Sequence, residues 1–180
     1  MFSISNSIAY ENLMVQAKVT KSSTIRDVLG TSRWINVEGS GEEKWCRQEG
    51  DELLKLLYDL RSQGCIPDFY IVTPFVVVQD RMREVLLASG LLKGWVENPY
   101  QWVRSRIGTV HTVQGREAEA VFFILGAPDV IQRGARDWAG SQPNLLNVAV
   151  TRAKEALYVV GNRSLWKKAG VFQSLDDLLS

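Results

Sequence analysis

The chain has 180 residues, 46% of them hydrophobic and 23% charged, with a formal net charge of +1. A chain of this length fits one domain and can bury a substantial core without disulfides. The near balance of acidic and basic residues excludes a polybasic protein that binds nucleic acid through bulk charge, but not one that uses a few placed groups. Two cysteines are too few for a disulfide framework or a zinc site. With no signal-peptide pattern and no long apolar stretch, we expect a cytoplasmic protein that does not enter a membrane.

Residues 1–32 have no clear hydrophobic period and predict an irregular entry segment, followed by a single domain over residues 33–180. Within that domain the predicted elements are, in chain order, a strand at 34–37, a helix at 49–60, a strand at 69–73, a helix at 79–92, a weaker strand at 106–110, a strand at 120–125, a helix at 145–153, a strand at 156–160 and a helix at 164–169. The glycine-containing stretch 133–142 predicts a mobile insertion.

Three of the predicted strands, 69–73, 120–125 and 156–160, are continuous apolar runs, whereas 34–37 is a short alternating run. The continuous runs decide the fold class. Strands of an antiparallel sheet with one solvent-exposed face alternate apolar and polar residues, whereas strands that are covered on both faces do not. Helices alternate with these strands, as in βαβ units. The sequence therefore predicts a three-layer α/β/α sandwich with a mostly parallel sheet.

Two polar blocks stand at the ends of predicted elements. In the first, residues 107–117, a strand ends in polar residues that are followed by glycine and charged residues. We expect that loop at the carboxyl edge of the sheet, where open α/β sheets bind ligands. The second block, residues 144–154, is a short helix that ends in Arg152 and Lys154 among apolar residues. Cations at that end also complement the helix dipole.

The two blocks resemble motifs V and VI of superfamily 1 helicases. The residues that carry the resemblance are Thr109-Val110-His111 and Gln114-Gly115-Arg116-Glu117 for motif V, and Asn147-Val148-Ala149-Val150-Thr151-Arg152-Ala153-Lys154 for motif VI. Upstream, Thr73-Pro74-Phe75 with Gln79 is similar to a Thr-Pro-Tyr-x-x-x-Gln segment of the same family. These strings favour the branch that includes the nonsense-mediated-decay helicase and its DNA-acting relatives. The resemblance implies the C-terminal RecA-like motor domain, which has the P-loop NTPase fold without its P-loop.

The resemblance also implies a role for each matching residue. Arg152 matches the arginine finger, a catalytic residue that reaches the γ-phosphate across the cleft between two RecA-like domains. The residues implied to face the nucleotide are Gln114, Gly115, Glu117 and Arg152. The residues implied to face single-stranded DNA or RNA are Thr73, Pro74, Thr109 and His111.

The sequence contains no Gly-x-x-x-x-Gly-Lys-Ser/Thr string and no acidic pair that would hold Mg²⁺. We therefore expect ATP and Mg²⁺ to be held by the N-terminal RecA-like domain of the same parent protein, with no metal ligands in this chain. Residues 1–180 alone are expected to be inactive as an ATPase. The alternative is a degenerate, non-catalytic interaction module. The choice between DNA and RNA stays open.

A cluster of aromatic and basic residues lies outside these motifs and has two interpretations. Its members are Trp95, Tyr100, Trp102, Arg104 and Arg106. They could stack and pair with a single strand. Alternatively, the aromatic rings pack against the edge of the sheet, which is the interpretation that we favour.

Overall fold

The computed structural model describes residues 24–113 and 117–180. Its elements, in chain order, are α1 (Thr24–Leu29), β1 (Arg33–Asn36), α2 (Arg47–Ser62), β2 (Phe69–Thr73), α3 (Val76–Ala88), α4 (Pro99–Arg106), β3 (Ile107–Thr109), β4 (Ala118–Ile124), a 3₁₀ turn (Val130–Gln132), α5 (Arg133–Gly140), α6 (Pro143–Arg152), β5 (Ala153–Gly161), α7 (Arg163–Trp166) and α8 (Val171–Leu178). Among the described residues, no helix is long and apolar enough to cross a membrane.

The five strands form one sheet in the order β1-β5-β4-β2-β3, and every neighbouring pair is parallel. β2 is buried at all of its positions, and β4 at all but one. This burial explains why these strands consist almost entirely of apolar residues, because both faces of the sheet are covered. The predicted α/β class and parallel sheet are confirmed.

Helices cover both faces of this sheet. Phe122 and Phe123 are neighbours in β4, so their side chains point to opposite faces. On one face, Phe122 stacks on Tyr158, whose hydroxyl donates to the Gly30 carbonyl just after α1 at 2.6 Å. On the other face, Phe123 stacks on Phe172 of α8 at 6.0 Å between ring centroids. The sheet is therefore the middle of three layers, as predicted.

The described part of the entry segment is not irregular, because residues 24–29 form α1. Ile25 of this helix is fully buried, and its N–H donates to Glu119 Oε1 of β4 at 2.8 Å. A carboxylate at a helix N-terminus satisfies a free backbone donor and complements the helix dipole. A helix of six residues spans too few turns to produce a visible hydrophobic period. Residues 1–23 lie outside the described part of the chain.

The prediction of a mobile insertion at residues 133–142 is also wrong, because residues 133–140 form α5. Arg136 of this helix is buried and donates to the carbonyl oxygens of Ala127, Asp129 and Val130 at 2.7, 2.6 and 3.1 Å. Hydrogen bonds from a charged donor are stronger than those between neutral groups. One arginine thus ties α5 to the segment that follows β4.

Helix α4 was not predicted, although Asn98-Pro99 is a helix-start signal. The Asn98 side chain accepts from the Gln101 N–H at 3.0 Å, and Pro99 occupies the first helical position. Trp102 and the nearby Trp95 pack on Phe69, with ring centroids 5.2 and 6.0 Å away. For these two rings the favoured packing interpretation is confirmed.

Gly140 allows α5 to pack closely on the turn between α7 and α8. A Cβ at Gly140 would collide with the Ala169 carbonyl and lie 3.0 Å from the Gly170 N. We expect Gly140→Ala to lower the free energy of unfolding by about 2 kcal/mol, because backbone rather than a flexible side chain must shift. The control is Gly134→Ala in the same helix, where nothing lies within 4 Å of the added Cβ. That variant should be neutral or up to about 1 kcal/mol more stable. Urea denaturation measures both, and equal stabilities would contradict this account of α5.

Candidate functional site

The predicted site residues lie at two opposite edges of the sheet. Thr73 and Thr109 are the last residues of β2 and β3, so they lie at the carboxyl edge. Glu117 and Arg152 directly precede β4 and β5, which places them at the amino edge. The expectation that the whole first block lies at the carboxyl edge is therefore wrong. Because β3 and β4 are parallel, the chain between them must return to the amino edge before β4 begins.

At the amino edge, Arg152 and Glu117 precede neighbouring strands. Ala118 and Ala153, the next residues in the chain, are paired in the β4–β5 ladder. Arg152 is the last residue of α6, so its charge also complements the C-terminal end of the helix dipole. Its side chain is half-buried, and its Nε is buried without a hydrogen-bond partner among the described residues. The structure thus brings these two predicted residues together.

A second cation lies at the same edge. Lys154 Nζ is 4.0 Å from Glu117 Oε2, and more than half of each side chain is exposed. An exposed ion pair of this kind contributes little to stability and separates at low cost. The predicted nucleotide-facing residues Gln114 and Gly115 lie outside the described residues.

At the carboxyl edge, the structure brings β2 and β3 together as parallel neighbours, with Thr73 opposite Thr109. The predicted nucleic-acid residues of these strands are therefore adjacent. Their side chains are covered, however, since Thr73, Pro74 and Thr109 are all buried. The Thr73 hydroxyl oxygen accepts from the Phe75 N–H at 3.3 Å, within the bend that leads into α3. These residues determine the form of the carboxyl edge. A ligand at this edge would contact their backbone atoms and their exposed neighbours.

His111 is the exposed member of this group. It lies in a turn closed by the Thr112 N–H, which donates to the Thr109 carbonyl at 2.9 Å. The Thr112 hydroxyl donates to the same oxygen at 3.0 Å. The turn fixes where the backbone of His111 lies, and the imidazole is open to solvent.

Gln79 is the residue that holds this turn in place. It is buried in the first turns of α3, and its Oε1 accepts from the Thr109 N–H at 3.0 Å. Its Nε2 donates to Asp80 Oδ1 at 3.0 Å. β3 has only three residues and lies at the end of the sheet, so this bond to α3 replaces one that a further strand would supply. The Thr-Pro-Phe resemblance drew attention to Gln79 without indicating this positioning role.

No metal site accompanies these residues in the part of the chain that the structure describes. Over residues 24–113 and 117–180, no group of three or more His, Cys, Asp or Glu side chains is arranged to hold a metal ion.

The sequence matches the model of the family AAA_12, described as an AAA domain, over residues 2–164. The chain belongs to this family. It is also 31% identical, over 106 residues, to the DNA polymerase alpha-associated DNA helicase A of Schizosaccharomyces pombe. That match covers 58% of this chain and 14% of the yeast protein, so the chain spans a small part of its relative. With the family match, it confirms the resemblance to the C-terminal domain of superfamily 1 helicases.

A solved structure also aligns with this AAA_12 domain. It is the C-terminal domain of a possible DNA helicase from Lactobacillus plantarum WCFS1, with a TM-score of 0.47 and 14% sequence identity. The alignment covers 78% of this chain and 82% of the other.

The AAA_12 domain also contains a buried acid near the carboxyl edge that the sequence did not reveal. Glu49 in the first turn of α2 is fully buried, and its Oε2 accepts from the Gly126 N–H at 2.8 Å. Its Oε1 is buried without a partner among the described residues. Loss of hydration raises the pKa of Glu49 from 4.5 to about 8, against the smaller opposing effects of the Gly126 N–H and the Cys46 side chain. In the sequence, Glu49 looks like an ordinary first-turn acid.

This pKa predicts a dependence of stability on pH. Between pH 4.5 and about 8 the folded chain keeps the Glu49 proton that the unfolded chain has released. The free energy of unfolding should therefore fall as pH rises through this window and level off above it. Burial raises the pKa of the nearby Cys46 thiol to about 11, so that group stays protonated throughout.

We expect Glu49→Gln to flatten this decline, because an amide does not titrate. Urea denaturation at several pH values measures the effect. The control is Asp51→Asn in the same helix, where the carboxylate is half-exposed and pairs with Arg47. Wild-type and Glu49→Gln proteins with parallel pH profiles would contradict the assignment.

Proposed function

We propose that this AAA_12 domain is the C-terminal motor half of an ATP-dependent DNA or RNA helicase or translocase. In this proposal, the amino edge faces ATP bound by the N-terminal RecA-like domain of the same parent protein. The carboxyl edge forms part of the track for a single strand. The placement of Arg152 is the observation that carries the proposal.

Arg152 has a buried polar atom that the described residues leave without a partner. Buried polar atoms nearly always have hydrogen-bond partners, yet its Nε has none among the described residues. Arg136 gives the contrast within the same domain, because its guanidinium bonds three backbone carbonyls and so has a structural task. A planar guanidinium suits the charge on a transferring phosphoryl group, which supports the role of arginine finger for Arg152.

The rest of the amino edge is compatible with a nucleotide in this position. Glu117 lies beside Arg152 and pairs weakly with Lys154, so a ligand can replace that ion pair at little cost. Gln114 and Gly115 complete the proposed nucleotide contacts. The sequence has no phosphate loop, so the phosphate cradle and Mg²⁺ belong, in this proposal, to the N-terminal domain. ATP and Mg²⁺ are thus shared cofactors of the parent.

The carboxyl edge offers a site for a strand rather than a deep pocket. Thr73 and Pro74 bend the chain beside Thr109, and the turn after Thr109 presents His111 to solvent. With a net charge of +1, the domain neutralises few phosphates, so we expect weak binding with a shallow salt dependence.

In the parent protein, Arg152→Ala should lower the kcat for ATP hydrolysis by roughly 10³-fold or more and change ATP binding much less. The reason is that the finger acts on charge that develops in the transition state. Arg152→Lys should restore little, because an ammonium cannot reproduce the planar fork. The control is Arg133→Ala, which removes an exposed arginine paired with Asp137. Steady-state ATPase rates measure this, and an undiminished kcat in Arg152→Ala would rule out the role of arginine finger. A wild-type parent that does not hydrolyse ATP would favour the non-catalytic interaction module.

His111→Ala in the parent should lower the stimulation of ATP hydrolysis by single-stranded nucleic acid more than it lowers the unstimulated rate. The imidazole is exposed on its turn, so its removal should leave the fold intact. The measurement is the ATPase rate with and without a saturating oligonucleotide. His111→Gln, which keeps a hydrogen-bonding side chain, is the matched control. Stimulation equal to wild type in His111→Ala would make His111 a residue of the turn only.

A further inference from the structure

A cleft of about 450 Å³ opens at the carboxyl edge where β2 ends. Three parts of the chain form its walls: the loop before α2, the start of α3, and α5. The residues that matter here are Lys44, Pro74, Phe75, Val76, Ala135 and Trp138. Pro74 belongs both to this cleft and to the proposed track, so the two surfaces are continuous.

The cleft has an exposed aromatic ring on one wall. Trp138 of α5 packs against Phe75, with ring centroids 6.2 Å apart and planes at 33°. Phe75 is buried, whereas Trp138 remains 47% exposed and the neighbouring Val76 62% exposed. A large ring held against a second ring, with much of its surface open, is a platform for another flat group.

The platform is rigid. Arg136 fixes α5 to the segment after β4, and Gly140 packs its far end against the turn before α8. On the opposite wall, the Ala127 N–H donates to the Lys44 carbonyl at 2.8 Å. Glu43 and Ala127 both have left-handed backbone, with φ of 55° and 48°. Such strain persists where surrounding contacts determine the conformation, and it is frequent at ligand sites.

The charges of the cleft favour a ligand with both a ring and an anion. The Lys44 ammonium lies 5.5 Å from the centroid of the Phe75 ring, at the mouth of the apolar wall. Glu43 also lines the cleft, so the cation acts locally and the cleft is not broadly basic. An apolar protein segment would use the rings but not the ammonium. A nucleotide unit within a strand uses both, its base on the ring and its phosphate near the cation.

We propose that this cleft is a stacking subsite for one base of a single strand of DNA or RNA, with Trp138 as the platform and Lys44 beside the adjoining phosphate. The proposal rests on the proposed function, since it extends the track at Pro74 by one nucleotide. Stacking of this kind tolerates every base, because each base has a flat π-face.

The experiment is fluorescence anisotropy of the 1–180 chain with labelled thymidine and uridine homopolymers at low salt. Trp138→Ala should weaken binding by about 5- to 100-fold, and Trp138→Phe should retain most of the affinity. The control is Tyr100→Ala, which removes another exposed ring, 72% accessible, from α4. That variant should bind like wild type. Thermal melting checks that each variant is folded.

A strand in which abasic sugars replace the bases provides a test that needs no variant. Wild-type protein should bind it as weakly as Trp138→Ala binds thymidine, and Trp138→Ala should bind both strands alike. Comparing deoxyuridine with uridine strands, which differ only in the 2′-hydroxyl group, shows which sugar the subsite accepts.

The results distinguish a failure of the proposed stacking subsite from a failure of the proposed function. The stacking subsite is wrong if wild-type protein binds thymidine and abasic strands equally, or if only Tyr100→Ala loses affinity. Either result leaves the proposed track at the carboxyl edge unaffected. If wild-type protein binds neither homopolymer, the track and the subsite are both overturned.

Discussion

The parallel pairing of β4 with β2 on one side and β5 on the other is the constraint on which the other features of this domain depend. Parallel strands begin at one edge of a sheet and end at the other. Residues before β4 and β5 are therefore gathered at the amino edge, and residues after β2 and β3 at the carboxyl edge. His111 and Glu117 lie six residues apart in one motif, but the sheet places them at opposite edges. In the proposed function, this topology keeps the nucleotide contacts and the nucleic-acid contacts at separate edges.

Buried polar groups, more than apolar packing, fix the geometry of those edges. Gln79 binds α3 to the end of β3, and Arg136 of α5 donates to three carbonyl oxygens. The half-buried Glu119 accepts from the Ile25 N–H of α1. Each such group would cost free energy if it lost its partner, so each favours a single local arrangement. Arg152 and Glu49 are exceptions, since each keeps one buried atom without a partner among the described residues. The proposed function assigns an external partner to the first, and the raised pKa of the second avoids the burial of an unpaired charge.

The sequence predicted the sheet well and the short helices poorly, for physical reasons. β2 is buried at every position and has no strongly polar residue before Thr73, because both faces of the sheet are covered, and its bounds match the prediction. The glycines of α5 predict a mobile loop, whereas in the structure Gly140 permits close packing. The neighbourhood of Arg152 and Glu117 depends on the β4–β5 register, which no local pattern contains. The unusual pKa of Glu49 depends on its burial beside Gly126, far away in the sequence.

The dense packing between the two edges has a mechanical consequence. A close-packed interior has low compressibility, so we expect the sheet and its covering helices to move together as one body. β2, with five residues at about 3.3 Å each, makes the distance between the edges about 17 Å. A rotation of about 5° around the amino edge would therefore displace the carboxyl edge by about 1.5 Å, because the two edges are about 17 Å apart. The domain can convert a small angular change at Arg152 into a linear displacement at His111 without any rearrangement of its core.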